Sequence, residues 1–204
     1  MRRQHFKHRQ NIMKHMYIFA VLVAFLLSNP VQAQTTVMAG DFSNPLTWGG
    51  APPMGTGDVI INHAVNLDID YMHSSGSFTI NGAGSLTSTN PMRVFALNYP
   101  SGIATLNVAG AFTVARVPLT GGHITNNGTF TIDSLFNTAY LENGANGIIN
   151  AEQFMNGIDG NITNYGSVNS INFYSQDSVK NHGTITTNDF CNSDRFINYS
   201  AAEV

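Results

Sequence analysis

Apolar and polar positions alternate along most of this chain in short runs of three to six residues, broken by Gly, Asn, Pro or Ser. Ser77-Phe-Thr-Ile80, Ala104-Thr-Leu-Asn-Val108 and Phe112-Thr-Val114 set the texture. This two-residue period is that of strands with one buried face, and the punctuation is that of turns. From Gly121 to Ser200 the runs become periodic. Ile124-Thr-Asn126-Asn-Gly128, Ile162-Thr-Asn164-Tyr-Gly166 and Val179-Lys-Asn181-His-Gly183 share one phrase, apolar-x-Asn-x-Gly. Two partial copies, at Leu141-Glu-Asn143 and Phe196-Ile-Asn198-Tyr-Ser200, extend the series. The asparagines fall 17, 21, 17 and 17 residues apart. After each turn, with glycines at Gly128, Gly147, Gly166 and Gly183, comes a strand phrase and then an aromatic residue or leucine: Leu135 and Phe136, Phe154, Ile171 and Phe173, Phe190.

A constant period of roughly 20 residues made of strands and turns is the mark of a solenoid in which one repeat is one coil. The period is too short for helix pairs and lacks the leucines of a leucine-rich repeat. The prediction is an all-β, right-handed parallel β-helix of 17–21 residues per coil. Asn tolerates the corner backbone, and its amide both donates and accepts, so Asn126, Asn143, Asn164, Asn181 and Asn198 are expected to stack as a hydrogen-bonded column. The alternative, N-x-G turns of antiparallel hairpins, would not hold one interval through four steps.

The first 33 residues read as a signal peptide. Arg2, Arg3, Lys7, Arg9 and Lys14 precede an apolar run from Tyr17 to Leu27, and Val31-Gln-Ala33 offers a small-x-small cleavage site. The run is short for a bilayer span, with an uncleaved anchor as the alternative. Cleavage removes five of the nine basic residues. It leaves Arg93, Arg116, Lys180 and Arg195 against all 12 acids, a net charge of −8. That balance argues against nucleic acid and against anionic membranes as partners. The remainder, 34–204, reads as one domain: an opening cap over about 41–58, irregular coils over about 59–118 and regular coils over about 121–204. Because Phe196 opens a coil near the end, the sequence reads as part of a longer protein, or as one whose last coil is capped by association.

The segment Trp48-Gly-Gly-Ala-Pro-Pro-Met-Gly-Thr-Gly57-Asp58-Val-Ile-Ile61, followed by Val65-Asn-Leu67-Asp68, resembles the opening of secreted bacterial β-helix surface proteins. It is similar to the start of the eight-glycine extracellular domain, and such proteins often resemble cargo of type IX secretion. The resemblance covers about 30 residues. It implies that Trp48 plugs the end of the hydrophobic column and that Gly57 and Asp58 turn the chain into the first strand.

Candidate chemistry is sparse. Asp68 and Asp70, two apart and so on one face if the segment is a strand, are weak candidates for a calcium or ligand site; calcium is the one cofactor with any support. Asp189, Asp194 and Arg195 form a possible lyase-like cluster or a surface ion pair. Glu142, Glu152 and Asp159 lie in the longest repeat, whose four extra residues suggest one bulged loop. Cys191 is the single cysteine, read as a buried thiol, with a catalytic pairing to His182 the weaker reading. His63, His73, His123 and His182 show no zinc-ligand spacing. Four basic residues are too few for a lyase of acidic sugars. The expectation is a secreted or cell-surface module without catalysis, for adhesion or for contact with carbohydrate or a partner surface. The alternative is a carbohydrate-active enzyme of β-helix type. A third reading, a flat ice-binding or matrix-like array, needs outward threonine columns, and Thr125, Thr163, Thr184 and Thr186 repeat too loosely to supply them.

Overall fold

The computed structural model describes residues 33–97, 104–119, 122–199 and 204. The proposed leader lies, but for Ala33, outside the described residues. Beyond it, strands follow one another coil by coil. The chain opens with β1 (Gln34–Thr35), β2 (Gly40–Asp41) and a single helical turn, α1 (Pro45–Trp48). Three coils then carry three strands each: β3 (Val59–Ile61), β4 (Ala64–Asn66), β5 (Tyr71–His73); β6 (Gly76–Ile80), β7 (Ser85–Thr87), β8 (Phe95–Leu97); β9 (Ala104–Val108), β10 (Ala111–Thr113), β11 (Arg116–Leu119). The later coils carry two: β12 (His123–Asn126), β13 (Thr129–Asn137); β14 (Tyr140–Asn143), β15 (Ile148–Asn156); β16 (Asn161–Asn164), β17 (Ser167–Ser175); β18 (Val179–Asn181), β19 (Thr184–Asn192). β20 (Phe196–Asn198) begins another.

Every strand pairing among the described residues is parallel. A hairpin reading is thereby excluded, and the fold is a parallel β-solenoid of about seven turns. The first sheet runs β1-β3-β6-β9-β12-β14-β16-β18-β20. The second collects the remaining strands. In it β10 and β11 pair with the two halves of β13, so nine-residue strands in the later coils run through a bend that the earlier coils make with a loop.

The core follows from the alternation. Val65, Leu86, Phe112, Phe130, Ile149, Val168 and Ile185 lie in register beneath the second sheet. Val117, Leu135, Phe154, Phe173 and Phe190 form the next inward column. Stacked coils place like rings over like rings: Phe112 and Phe130 are 4.7 Å apart, and Phe154 and Phe173 are 4.8 Å apart, both near parallel. Of the residues expected after each turn, Leu135, Phe154 and Phe173 point inward. Phe136 points outward because it follows the buried Leu135 by one position, and Ile171 because it sits at the bend, between the paired Ser170 and Asn172, where the strict alternation is interrupted.

One column changes chemistry along the axis. Ile61, Ile80 and Val108 are followed in the same register by Asn126, Asn143, Asn164, Asn181 and Asn198. Asn126, Asn143, Asn164 and Asn181 are fully buried. Each amide donates to the carbonyl oxygen of the next, at 2.8, 2.8, 2.7 and 2.8 Å. The same nitrogens also reach the backbone, as Asn143 Nδ2 does to the Gly147 carbonyl at 3.1 Å. A buried amide with its donors and acceptor engaged is stabilising, whereas a half-satisfied one is costly.

The glycines beside this column are needed for approach rather than for a left-handed backbone. A Cβ on Gly128, Gly166 or Gly183 would overlap the carbonyl oxygen of the glycine one coil below. The four extra residues of the longest repeat form no single bulge. Register places two at the corner Gly144–Gly147 and two at the corner 157–161, so the strands between them stay aligned.

Asn143→Ala is expected to lower unfolding free energy by about 3 kcal/mol, since it removes one amide and strands those above and below. Gly166→Ala is expected to cost about 2 kcal/mol or more through backbone displacement. Urea titration of both variants checks each figure, and a loss under about 0.5 kcal/mol for Asn143→Ala would mean the ladder is replaceable.

Candidate functional site: the outward face of the second sheet

The first described turns pack Phe42 and Trp48 into the core cluster. Asn44 caps α1 by accepting from the Leu46 N–H at 3.0 Å, Pro45 supplies the preset φ of the first helical position, and Gly49 ends the turn at φ 64°. Trp48 is buried, donates its indole N–H to the Phe42 carbonyl at 2.7 Å and packs edge-on against the Phe42 ring. Its faces are not free for a sugar. Gly57 takes φ 83°, and Asp58 accepts from the Ser77 N–H and hydroxyl at 2.9 and 2.8 Å, bonds that hold its carboxyl below the usual range.

Asp68 and Asp70 are not on a strand face; they lie in the bend between β4 and β5 and serve opposite neighbours. Asp68 accepts from the N–H and hydroxyl of Ser43, one coil below. Burial works to raise its pKa, and the Ser43 bonds overcome that, leaving the carboxyl below its ordinary value. Asp70 accepts from the Val94 N–H at 3.1 Å and pairs with Arg93 at 3.7 Å, one coil above. Both carboxylates tie coils together. Among the described residues no group of three or more His, Cys, Asp or Glu side chains is placed to share a metal ion.

The remaining sequence candidates are dispersed. Glu142 stands on the outward face of the first sheet in a column with Thr125, Thr163 and Lys180. Asp159 occupies a corner at φ 70°. Asp189 ends an outward column, and Asp194 and Arg195 lie in the turn after β19. Cys191 is exposed, contrary to the expectation of a buried thiol, because it follows the inward Phe190 by one position. It completes an outward stripe with Phe136, Met155 and Tyr174.

Three features emerge only in the fold. A second ladder runs at the far end of the long strands: Asn137 donates to Asn156 at 2.7 Å, and Asn156 to the Ser175 hydroxyl at 3.1 Å. A repeat of 19 residues from Asn137 to Asn156 to Ser175 was the signal for it, hidden because no glycine follows at a fixed offset. Tyr165, His182 and Tyr199, the variable residues of the repeated phrase, stack in parallel at 4.8 and 3.7 Å.

The third feature is a pair of outward columns on the second sheet. Ala64, Ser85, Ala111, Thr129, Ile148, Ser167 and Thr184 form one. Asn66, Thr87, Thr113, Thr131, Asn150, Asn169 and Thr186 form the other. Successive members sit roughly 4.8 Å apart up the axis and the columns roughly 6.7 Å apart. From β4 to β19 no member carries a charge; below β4 the second column continues to Asp41, which accepts from the Asn66 amide at 2.8 Å. Of the four threonines named from the sequence, Thr184 and Thr186 belong here, whereas Thr125 and Thr163 are on the other sheet. At the bend this face deepens into an open groove of about 380 Å³ lined by Thr131, Asp133, Asn150, Glu152, Asn169 and Ile171 among others.

The other titratable group of note is structural. His73 is buried against Phe78, with Nδ1 3.1 Å from the Tyr71 hydroxyl. Burial pushes its pKa below the ordinary imidazole value, against the weaker opposing pull of the Gly76 backbone and the Asp58 carboxylate; burial also raises Tyr71 well above the usual phenol range. Comparison with known proteins finds no matching family model, no matching curated relative and no matching solved structure.

Because folding holds His73 neutral, the unfolded chain binds the extra proton first. Stability is therefore complete above the ordinary value of 6.5 and falls as pH drops below it. Thermal melting between pH 8 and about 5 is expected to show this loss, and His73→Phe to flatten it in that window. An unchanged slope in the variant would assign the loss to other groups; Asp58 and Asp68, with lowered values, act only at more acid pH.

Proposed function

We propose that this is an exported, cell-surface or secreted β-solenoid module that performs no chemistry and contacts carbohydrate, or a glycan-bearing partner surface, through the outward face of its second sheet. The observation that carries this reading is the pair of uncharged columns from β4 to β19. Side chains there repeat coil by coil instead of converging on a point. A catalyst needs a nucleophile, base or acid gathered around one reacting atom. The second column, from Asn66 to Thr186, is a ladder of hydroxyls and amides that offers many weak, similar contacts, whose sum becomes appreciable along a polymer. The basic, apolar and small-residue pattern at the start of the chain supports export. The resemblance of its opening phrase to the eight-glycine surface domain supports a place at the cell surface by a type IX-like route. No helix among the described residues is long and apolar enough to cross a membrane.

One observation favours a second reading, a carbohydrate-active enzyme: Asp133 and Glu152 occupy equivalent positions on adjacent coils in the groove. Paired carboxylates are the machinery of glycoside hydrolysis.

Pull-down of the mature chain on insoluble and soluble polysaccharides tests the first reading, which expects retention without release of reducing ends. Thr113→Tyr and Thr131→Tyr, which put bulk on the face, are expected to lower retention about tenfold or more while leaving the melting temperature within a few degrees. Turnover abolished by Asp133→Asn would replace the first reading by the second. The same samples report on an ice surface, whose lattice repeats are close to those of the columns: thermal hysteresis without glycan retention would reassign the face to ice.

A further inference from the structure

The groove at the bend brings like charges together inside a concavity, whereas the other stacked acids, Asp177 over Asp194 with Asp159 one coil below, stand at an open corner. Stacking coils in register puts like over like, and like charges directly opposite in a ladder destabilise it. Elsewhere on this face the columns from β4 to β19 are uncharged. At the bend, however, Ile132 pairs with Ala151 and Ser134 with Gln153, so Asp133 and Glu152 stand one above the other, their Cα atoms roughly 4.8 Å apart. Both are exposed, and neither has an ion-pair partner among the described residues. None of Arg93, Arg116, Lys180 and Arg195 lines the groove; Arg116, the nearest by register, lies opposite Ser134 on the neighbouring strand.

From this charge pattern we infer that the groove is a subsite for a cationic amino-sugar unit of a polysaccharide, with Asp133 and Glu152 sharing its protonated amine. The inference rests on the glycan-contact reading above and adds to it the class of sugar. An ammonium has three donors and no acceptor, so it can serve two carboxylates at once and remove their mutual repulsion. The surroundings suit the rest of the ring. Asn169 donates to Asn150 at 3.0 Å, which leaves the Asn150 amide N–H groups and the Asn169 carbonyl oxygen for sugar hydroxyls. Ile171 continues the carboxylate position on the next coil and, half exposed, offers methyl groups to an apolar sugar face. The Ser170 hydroxyl lies in register with the buried Ile132 and Ala151, closed off from solvent and without a hydrogen-bond partner. Acidic sugars are excluded by the same two charges.

The test is calorimetry of the mature chain with a β-1,4-linked glucosamine oligomer, its fully N-acetylated counterpart and an oligogalacturonate, at a pH where the free amines are protonated. Binding is expected to favour the glucosamine oligomer over the neutral one by about tenfold at low salt and to lose that margin as ionic strength rises. The double variant D133N/E152Q is expected to bind both oligomers alike. The chain is acidic overall, so Asp159→Asn with Asp177→Asn serves as a control that removes the same charge away from the groove and is expected to keep the margin. Ile171→Asp, a third carboxylate in the column, is expected to widen it, a gain that no folding defect can mimic. Equal loss of the margin in the groove and control variants would overturn the subsite in favour of diffuse attraction. Neutral and cationic oligomers bound equally by the unaltered chain would overturn the charge selection and leave glycan contact standing. Failure to bind any of the three would remove both.

Discussion

The constraint on which this structure rests is vertical self-complementarity. Parallel coils stacked in register place each side chain roughly 4.8 Å from the equivalent one above it. A residue survives in such a column only if it can sit on a copy of itself. Asparagine does so by donating with one end of its amide and accepting with the other, as the 2.7–2.8 Å chain from Asn126 to Asn198 shows. Phenylalanine does so by offset stacking, as Phe154 and Phe173 do. Like charges so stacked repel each other, and the chain is only 10% charged.

The same constraint accounts for the corners. A turn that returns the chain to the same height must bring its backbone against that of the coil below, which leaves no volume for a Cβ at Gly128, Gly166 or Gly183. Where an extra residue is needed it is absorbed at a corner, two at each of two corners in the coil between Asn143 and Asn164, and the register between β15 and its neighbours is untouched. The amide column begins where the aliphatic one of Ile61, Ile80 and Val108 ends. From Asn126 onward that corner is specified by hydrogen bonds, which demand one geometry, instead of by apolar contact, which tolerates several.

Such a scaffold makes faces more readily than it makes pockets. Its outward columns repeat a chemical group at fixed intervals, which suits long or periodic partners. The bend in the second sheet is the place where a concavity forms, so it is there that a departure from the repeat has chemical meaning. Asp133 over Glu152 is such a departure. The carboxylates of Asp58, Asp68 and Asp70, by contrast, are engaged by Ser77, Ser43, Val94 and Arg93 and hold successive coils together.

The period, the strand texture and the turn chemistry are properties of covalent order, so the all-β solenoid and the residues of its amide corner were legible from 204 letters: a 17-residue recurrence of apolar-x-Asn-x-Gly has few other physical solutions. What lies beside what across the coils was not legible. That depends on how many residues each corner absorbs, and a shift of one position moves a side chain to the opposite face. For this reason Cys191 proved exposed, Asp68 and Asp70 proved to face different coils, and four threonines that look alike in the sequence divide between two sheets. The ladder of Asn137, Asn156 and Ser175 and the stacked pair Asp133 and Glu152 are tertiary facts of the same kind, made by lateral register between segments 19 residues apart.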